Sequence, residues 1–233
     1  MVSDGKVMSF LGHLEELRHR LIKSIASVLL LSIVFYFFSE RVIDYLTAPV
    51  NVTYFTSPTE AFSIRIKLSL ILGLMASIPL VLYQIWKFVV PGLTKKEVKY
   101  VFPVVFFSSL FFLGGASFCY FLVLPLGIKF LLGFQTERLL PLIKIGDYVS
   151  FVAWMVLAFG LVFQLPILTF FLGKIGLVSS LTLRKGRKYA FLGILILAAV
   201  LTPSPDVFSQ LLLAIPLYVL YEVSIIVVRI TAK

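Results

Sequence analysis

Charge is what this sequence has least of for its length. Only 14% of its 233 residues are Asp, Glu, Lys or Arg, where a soluble domain carries about a quarter. Cysteine occurs once, at Cys119, inside an apolar run, so no internal disulfide can form and the thiol reads as a small buried hydrophobe. Histidine occurs twice, at His13 and His19, and no Cys/His spacing suits a metal. No glycine-rich nucleotide loop, HExxH or GxSxG is present. These absences remove the usual inventory for phosphoryl transfer, zinc hydrolysis and serine hydrolysis, and predict a protein that is not an enzyme and needs no cofactor. The first twenty residues also lack the apolar core of a cleavable signal peptide, carrying instead Asp4, Glu15, Glu16, Arg18 and Arg20. The first apolar span is therefore expected to serve as the membrane-targeting element.

What is abundant is apolar sequence in long runs. Hydrophobic residues make up 60% of the chain and the mean hydropathy is +1.05, the pattern of a chain solvated by lipid. Six segments stand out, near 21–38, 68–88, 101–124, 149–173, 189–202 and 207–228. The expected fold is an all-α membrane protein, one integral membrane domain over 1–233 with six transmembrane helices. The first four segments have the roughly 20 residues that cross about 30 Å of hydrocarbon. The last two are shorter, and fit either a re-entrant hairpin or spans in a locally thinned bilayer. Both alternatives leave the C-terminus on the same side. Residues 40–67 and 125–148 are expected to form two external caps.

Basic residues set the orientation. With the N-terminus inside, fifteen of the 21 Lys and Arg residues fall on the inner side and six on the outer, so the positive-inside rule predicts both termini in the cytoplasm. The net charge of +10 is spread over span ends rather than gathered in one patch. It reads as a topology determinant that also attracts anionic headgroups, by about 1 kcal/mol per residue near the surface, and not as a nucleic-acid site. Pro79, Pro103, Pro125, Pro166 and Pro216 interrupt the segments. A proline within a helix frees the carbonyl four residues earlier, so kinked helices forming a curved, concave wall are expected. No internal repeat is visible, which weighs against an inverted-repeat transporter.

Four groups of residues could carry function. In Phe10-Leu-Gly-His-Leu-Glu-Glu-Leu-Arg-His-Arg-Leu21, Phe10, Leu14, Leu17 and Leu21 share a face, which predicts an amphipathic interfacial helix over 1–20. Glu16 and Arg20 stand at i, i+4. The second group is the loop Tyr83 to Glu97, where a single acid, Glu97, sits among lysines beside Tyr83, Trp86 and Phe88. Gln84, Trp86, Pro91 and Leu93 are its supporting candidates. The third is Gln164, a polar residue within the fourth segment that needs hydrogen-bond partners there, either as interhelical contact or as part of a functional path. The fourth comprises Asp206, with Ser209 and Gln210, which could cap the last helix, and Glu222, expected to pair with Arg229 or a lysine. Pro49 and Phe62, in the first cap, are further candidates.

In order along the chain, HLEELRHRL, LYQIWKFVVPGL followed by KKE, YFLVLPLG, FGLVFQLP and LTPSPDVFSQLLLAIPLYVLYE closely resemble the TatC family, the multi-span receptor subunit of the twin-arginine protein translocase. The resemblance implies binding of the twin-arginine signal peptides of folded cargo proteins. It implies export driven by the proton-motive force in a prokaryotic cytoplasmic (inner) membrane. The implied partners are TatA-like and TatB-like single-span subunits, membrane lipids and further copies in homo- and hetero-oligomers. Glu16 and Glu97 match the acids that contact the twin arginines, Arg18 a functional basic position, and Phe88 an aromatic that supports binding. Two departures stand out: the family usually carries an acid where this chain has Gln164, and the turn before Asp206 is one residue longer than the family's TPPD form. Outside this reading, a proton-coupled small-molecule carrier would suit paired polar residues within the spans, and a membrane-assembly factor without a signal-peptide site would fit the spans alone.

Overall fold

The computed structural model describes residues 10–50, 53–89, 101–136, 141–202 and 207–231. The chain is helical almost throughout. Helix α1 runs over Phe10–Thr47 and α2 over Pro58–Val89. Helix α3, Val101–Phe118, passes through a π-helical turn, Cys119–Val123, into α4, Leu124–Leu132. Helices α5, Ile145–Val162, and α6, Leu165–Lys174, follow with a two-residue interruption. The chain closes with α7, Ser180–Lys185, α8, Arg187–Leu201, and α9, Val207–Thr231. Among the described residues five stretches are long and apolar enough to cross a membrane: Leu11–Thr47, Pro58–Phe88, Phe102–Leu132, Ile145–Lys174 and Gln210–Ile230. The segment expected near 189–202 is α8, whose 15 residues reach about 22 Å at 1.5 Å per residue.

Helix α1 is longer than the apolar run that nucleates it. The amphipathic residues from Phe10 onward continue into it without a break, because nothing between Phe10 and Thr47 is a glycine cap or a proline once Gly12 is passed. It pairs with α2 along a seam of small residues. Ser69, Gly73 and Ser77 stand four apart on α2, and Ser32 and Ser39 face them from α1; all four serines are buried. A Cβ placed on Gly73 would lie 2.1 Å from Ser32 Oγ and 2.5 Å from its backbone nitrogen. Each buried hydroxyl donates back to its own helix, Ser32 to Val28 O at 2.7 Å and Ser77 to Leu74 O at 2.8 Å. None needs a partner across the seam, and the two backbones close together.

The prolines explain the interruptions. Pro103 lies in the first turn of α3, where no intrahelical N–H is needed. Pro125 follows directly on the π turn, in which Leu124 N–H reaches Cys119 O; the wider turn relieves the ring's pressure on the carbonyl four residues earlier. Pro166 is the second residue of α6, just after the break at Phe163 and Gln164. Pro79 and Pro216 remain inside α2 and α9. Helices α3 and α5 interlock glycine against ring: a Cβ on Gly160 would meet the Phe112 ring at 2.6 Å, and one on Gly115 would meet Phe163 at the same distance. Cys119, Val123, Val152, Phe159, Leu213 and Leu217 belong to the main buried cluster, which reaches α8 and α9 through Ala198 and Leu217.

The two expected caps are smaller than the sequence predicts, since α1, α4 and α5 each run on into them. What remains is joined. Strand β1, Thr53–Tyr54, pairs in parallel with β2, Ile143–Lys144, with Thr53 opposite Ile143. Tyr120 and Tyr148 donate to Tyr45 O at 3.1 Å and Leu46 O at 2.8 Å, taking up carbonyls that the last turn of α1 cannot satisfy. Glu60 accepts from Thr56 N and Thr56 Oγ1, each at 2.9 Å, and from Gly146 N at 3.1 Å. It ties the two connections together at the start of α2.

Gly73→Leu should drive α1 and α2 apart and destabilise the protein by about 1–3 kcal/mol or more. Gly193→Leu, at a position with no atom within 4 Å of a built Cβ, should leave stability nearly unchanged. Thermal unfolding of the two variants in one detergent compares them directly.

Candidate functional site

The site lies where the first turns of α1 meet the last turns of α2. His13, Glu16 and Arg20 fall at i, i+3 and i+7, one face of a helix. Gln84 and Phe88 fall at i, i+4 on α2. Because the two helices run antiparallel, early positions on α1 meet late positions on α2. The rings of His13 and Phe88 stack at 4.2 Å with 18° between planes. One helical step deeper, Arg20 Nη1 donates to Gln84 Oε1 at 3.2 Å. Glu16 sits between these two contacts.

The carboxylate of Glu16 is divided in its commitments. Its Oε1 accepts from Arg20 Nη2 at 2.7 Å, with both side chains 16% exposed. Its Oε2 is buried and makes no hydrogen bond, as is Arg20 Nε. A part-buried carboxylate with one oxygen unsatisfied is a strong acceptor for a further cationic donor. Among the described residues, an aromatic stack and an amide flank that ion pair.

The structure separates the other sequence candidates. Arg18 is exposed, on a different face of α1 from Glu16. Residues 83–88, the inner end of the expected second span and the start of the candidate loop stretch, are helical. Trp86 therefore points away from Gln84 into a core: it is buried and meets Phe171 of α6 edge-on at 4.2 Å, beside Val104. Glu97, Pro91, Leu93 and Asp206 lie outside the described residues. Gln164 is buried and donates to Ser108 O at 3.0 Å and Gly160 O at 3.3 Å, an interhelical contact between α3 and the end of α5. Gln210 donates to Leu195 O at 3.0 Å and joins α9 to α8. Pro49 and Phe62 are exposed, near the strand pair and far along α1 and α2 from Glu16.

Glu222 pairs with Arg187 at 2.6 Å, and not with the Arg229 or lysine that the sequence offered. Arg229 is two turns further along the same helix, about 10 Å away along the axis, whereas Arg187 begins the helix packed beside α9. Accepting this hydrogen bond, Glu222 raises the Arg187 pKa above its usual value. Tyr221 adds a hydrogen bond to Leu183 O at 2.7 Å, so α7 and the start of α8 are fastened to α9. Two contributors escaped the sequence reading. His13 was legible only through the 13, 16, 20 periodicity, and Glu60 through the Ser57-Pro-Thr-Glu60 spacing that marks a helix start.

The family model for the Sec-independent protein translocase protein TatC matches residues 12–216. A Sec-independent protein translocase protein TatC from Desulforapulum autotrophicum is 43% identical over 231 residues, covering 96% of this chain and 85% of that protein. The TatC of Aquifex aeolicus is 39% identical over 234 residues, covering 97% of each. The fold is similar to a crystal structure described as the twin arginine translocase receptor TatC. The TM-score is 0.86 at 39% identity, over 95% of this chain and all of that one.

Trp86→Ala should cost about 3–5 kcal/mol, the range for an emptied aromatic site, while Phe88→Ala, half-open and stacked on one ring, should cost about 1 kcal/mol. Thermal unfolding of the purified variants separates the packing residue from the residue available to a ligand.

Proposed function

This chain belongs to the TatC family of Sec-independent protein translocase proteins, and from that membership we propose that it is the receptor for twin-arginine signal peptides and the core scaffold for export of folded proteins. The observation that carries the proposal is the part-buried Glu16, held between the His13–Phe88 stack and the Arg20–Gln84 hydrogen bond. The described part of helix α2 reaches Val89, one residue beyond Phe88, and Glu97 follows eight residues later in the sequence. The two carboxylates each receive one arginine of the signal peptide. Guanidinium is a planar fork that engages a carboxylate through two parallel hydrogen bonds, whereas ammonium is a point charge. The lysines around Glu97 repel basic segments that lack this geometry.

The remaining features of the proposal follow from the membrane. Both termini are cytoplasmic, which places the Glu16 site at the inner surface and the strand pair outside, in an inner membrane. Helix α8 acts as a sixth, short span, paired with α9 through Gln210 and through Arg187–Glu222, in a bilayer thinned around it. The kinked helices form a concave wall along which the apolar stretch of the signal peptide runs. Small single-span subunits like TatA and TatB cover exposed apolar helix faces, and the proton-motive force supplies the energy. A carrier reading gains nothing from Gln164, whose amide is spent on two backbone carbonyls and cannot ionise.

A twin-arginine peptide carrying a photocrosslinker should label the region around Glu16 and Glu97 of the protein in lipid nanodiscs. Glu97→Ala and Glu16→Gln should each weaken peptide binding tenfold or more, about what removal of one partner of a charged pair costs. Replacing both peptide arginines with lysine should do the same. Undiminished labelling across all three changes would remove the receptor reading.

A further inference from the structure

The receptor already holds an arginine where the peptide's arginine would go. Arg20 lies one helical turn from Glu16, so its guanidinium reaches Oε1 at 2.7 Å with no backbone movement. The same group is shared with α2 through Gln84 Oε1 at 3.2 Å. One carboxylate oxygen, Oε2, and one guanidinium nitrogen, Nε, are left buried without a hydrogen bond. For a permanent structural ion pair this is a poor arrangement: a bidentate pair would use both oxygens and leave neither atom orphaned. For a pair that must open, it is a good one, since each member keeps an unused valence toward a different partner.

We infer that Arg20 is an internal competitor for Glu16, occupying it in the free receptor and yielding it to a signal-peptide guanidinium while remaining held by Gln84. The inference rests on the receptor reading above and adds a residue that sets specificity. The exchange conserves charge, because one guanidinium leaves Glu16 as another arrives, so the part-buried carboxylate is never left unpaired. The incoming arginine gains what Arg20 does not take, a second hydrogen bond at Oε2. An incoming lysine offers a point charge and cannot match the fork it must displace. Discrimination then comes from the threshold that Arg20 imposes as well as from the attraction of Glu16, a difference of affinities rather than an affinity. Gln84 has the matching role of a parking partner: its amide oxygen is neutral, so it holds the displaced guanidinium without competing for it electrostatically.

The test is peptide affinity, measured on the full chain in lipid nanodiscs with a twin-arginine peptide and its twin-lysine counterpart. Arg20→Gln should tighten the twin-arginine peptide about threefold to tenfold, the range a part-buried ion pair can withhold. It should tighten the twin-lysine peptide by a larger factor, so the ratio between the two narrows. Gln84→Ala should weaken both peptides about twofold to threefold, one neutral hydrogen bond's worth. If Arg20→Gln does not fold, Arg20→Lys carries the same test, since losing the fork while keeping the charge should still narrow the ratio. A merely structural Arg20 would lower both affinities together and leave the ratio unchanged; that outcome, or no change, overturns the inference alone. Absence of any arginine preference in the unmodified protein, together with no effect of Glu16→Gln, overturns the receptor reading beneath it.

Discussion

Nothing inside a bilayer can fall back on water for a hydrogen bond, and most of this structure is a set of answers to that constraint. The backbone answers by being helical from one membrane face to the other. Side chains answer by folding their polar atoms onto their own helix: Ser32, Ser39, Ser69 and Ser77 all donate to carbonyls three or four residues back. This leaves them effectively small and apolar toward the neighbouring helix. That is why a seam of serine and glycine can bring α1 and α2 into backbone contact, and backbone contact is what brings His13, Glu16 and Arg20 within reach of Gln84 and Phe88. The recognition chemistry at the end of the helix pair thus depends on packing decided about 10–40 Å away along it.

Where a polar atom cannot satisfy itself, the fold supplies a partner from another element. Gln164 takes carbonyls of Ser108 and Gly160 at the break before Pro166. Tyr120 and Tyr148 serve the last turn of α1, and Glu60 serves backbone amides on both connections. These long-range ties share a form, a side chain from one segment meeting the exposed backbone end of another. Glu16 Oε2 and Arg20 Nε break the pattern. They are two of the three buried side-chain atoms without a hydrogen bond among the described residues, the third being Arg187 Nε, and such exceptions gather at working sites.

Much of this was legible in the sequence. Apolar runs marked every long helix, and the ordered motif blocks named the family. Boundaries were less so, because hydropathy reports where lipid begins, not where a helix ends: α1 extends past its apolar run at both ends, and α2 begins ten residues before its own. Tertiary partners were the least legible. Glu222 was expected to use Arg229 or a lysine, but helix pairing offered Arg187. Trp86 read as a member of the recognition loop until its position relative to Phe171 placed it in a core. The i, i+4 relation of Glu16 and Arg20 was visible from the start; that the guanidinium also spans to Gln84 required knowing that α1 and α2 run side by side.

The π turn at Cys119–Val123 carries one residue more than an α-helical turn would use, and that surplus sets the rotational phase of everything after it. Leu124 and Ile128 face the interior because the extra residue has already turned the helix by about 100°. A chain shortened by one residue within this turn would set the Pro125 ring against the carbonyl four residues earlier. It would also aim Ile128 toward lipid and carry Lys129 with it around the axis. Segment length here is thus constrained by angle rather than by distance, and the local irregularity is what keeps two otherwise ordinary helical stretches in step.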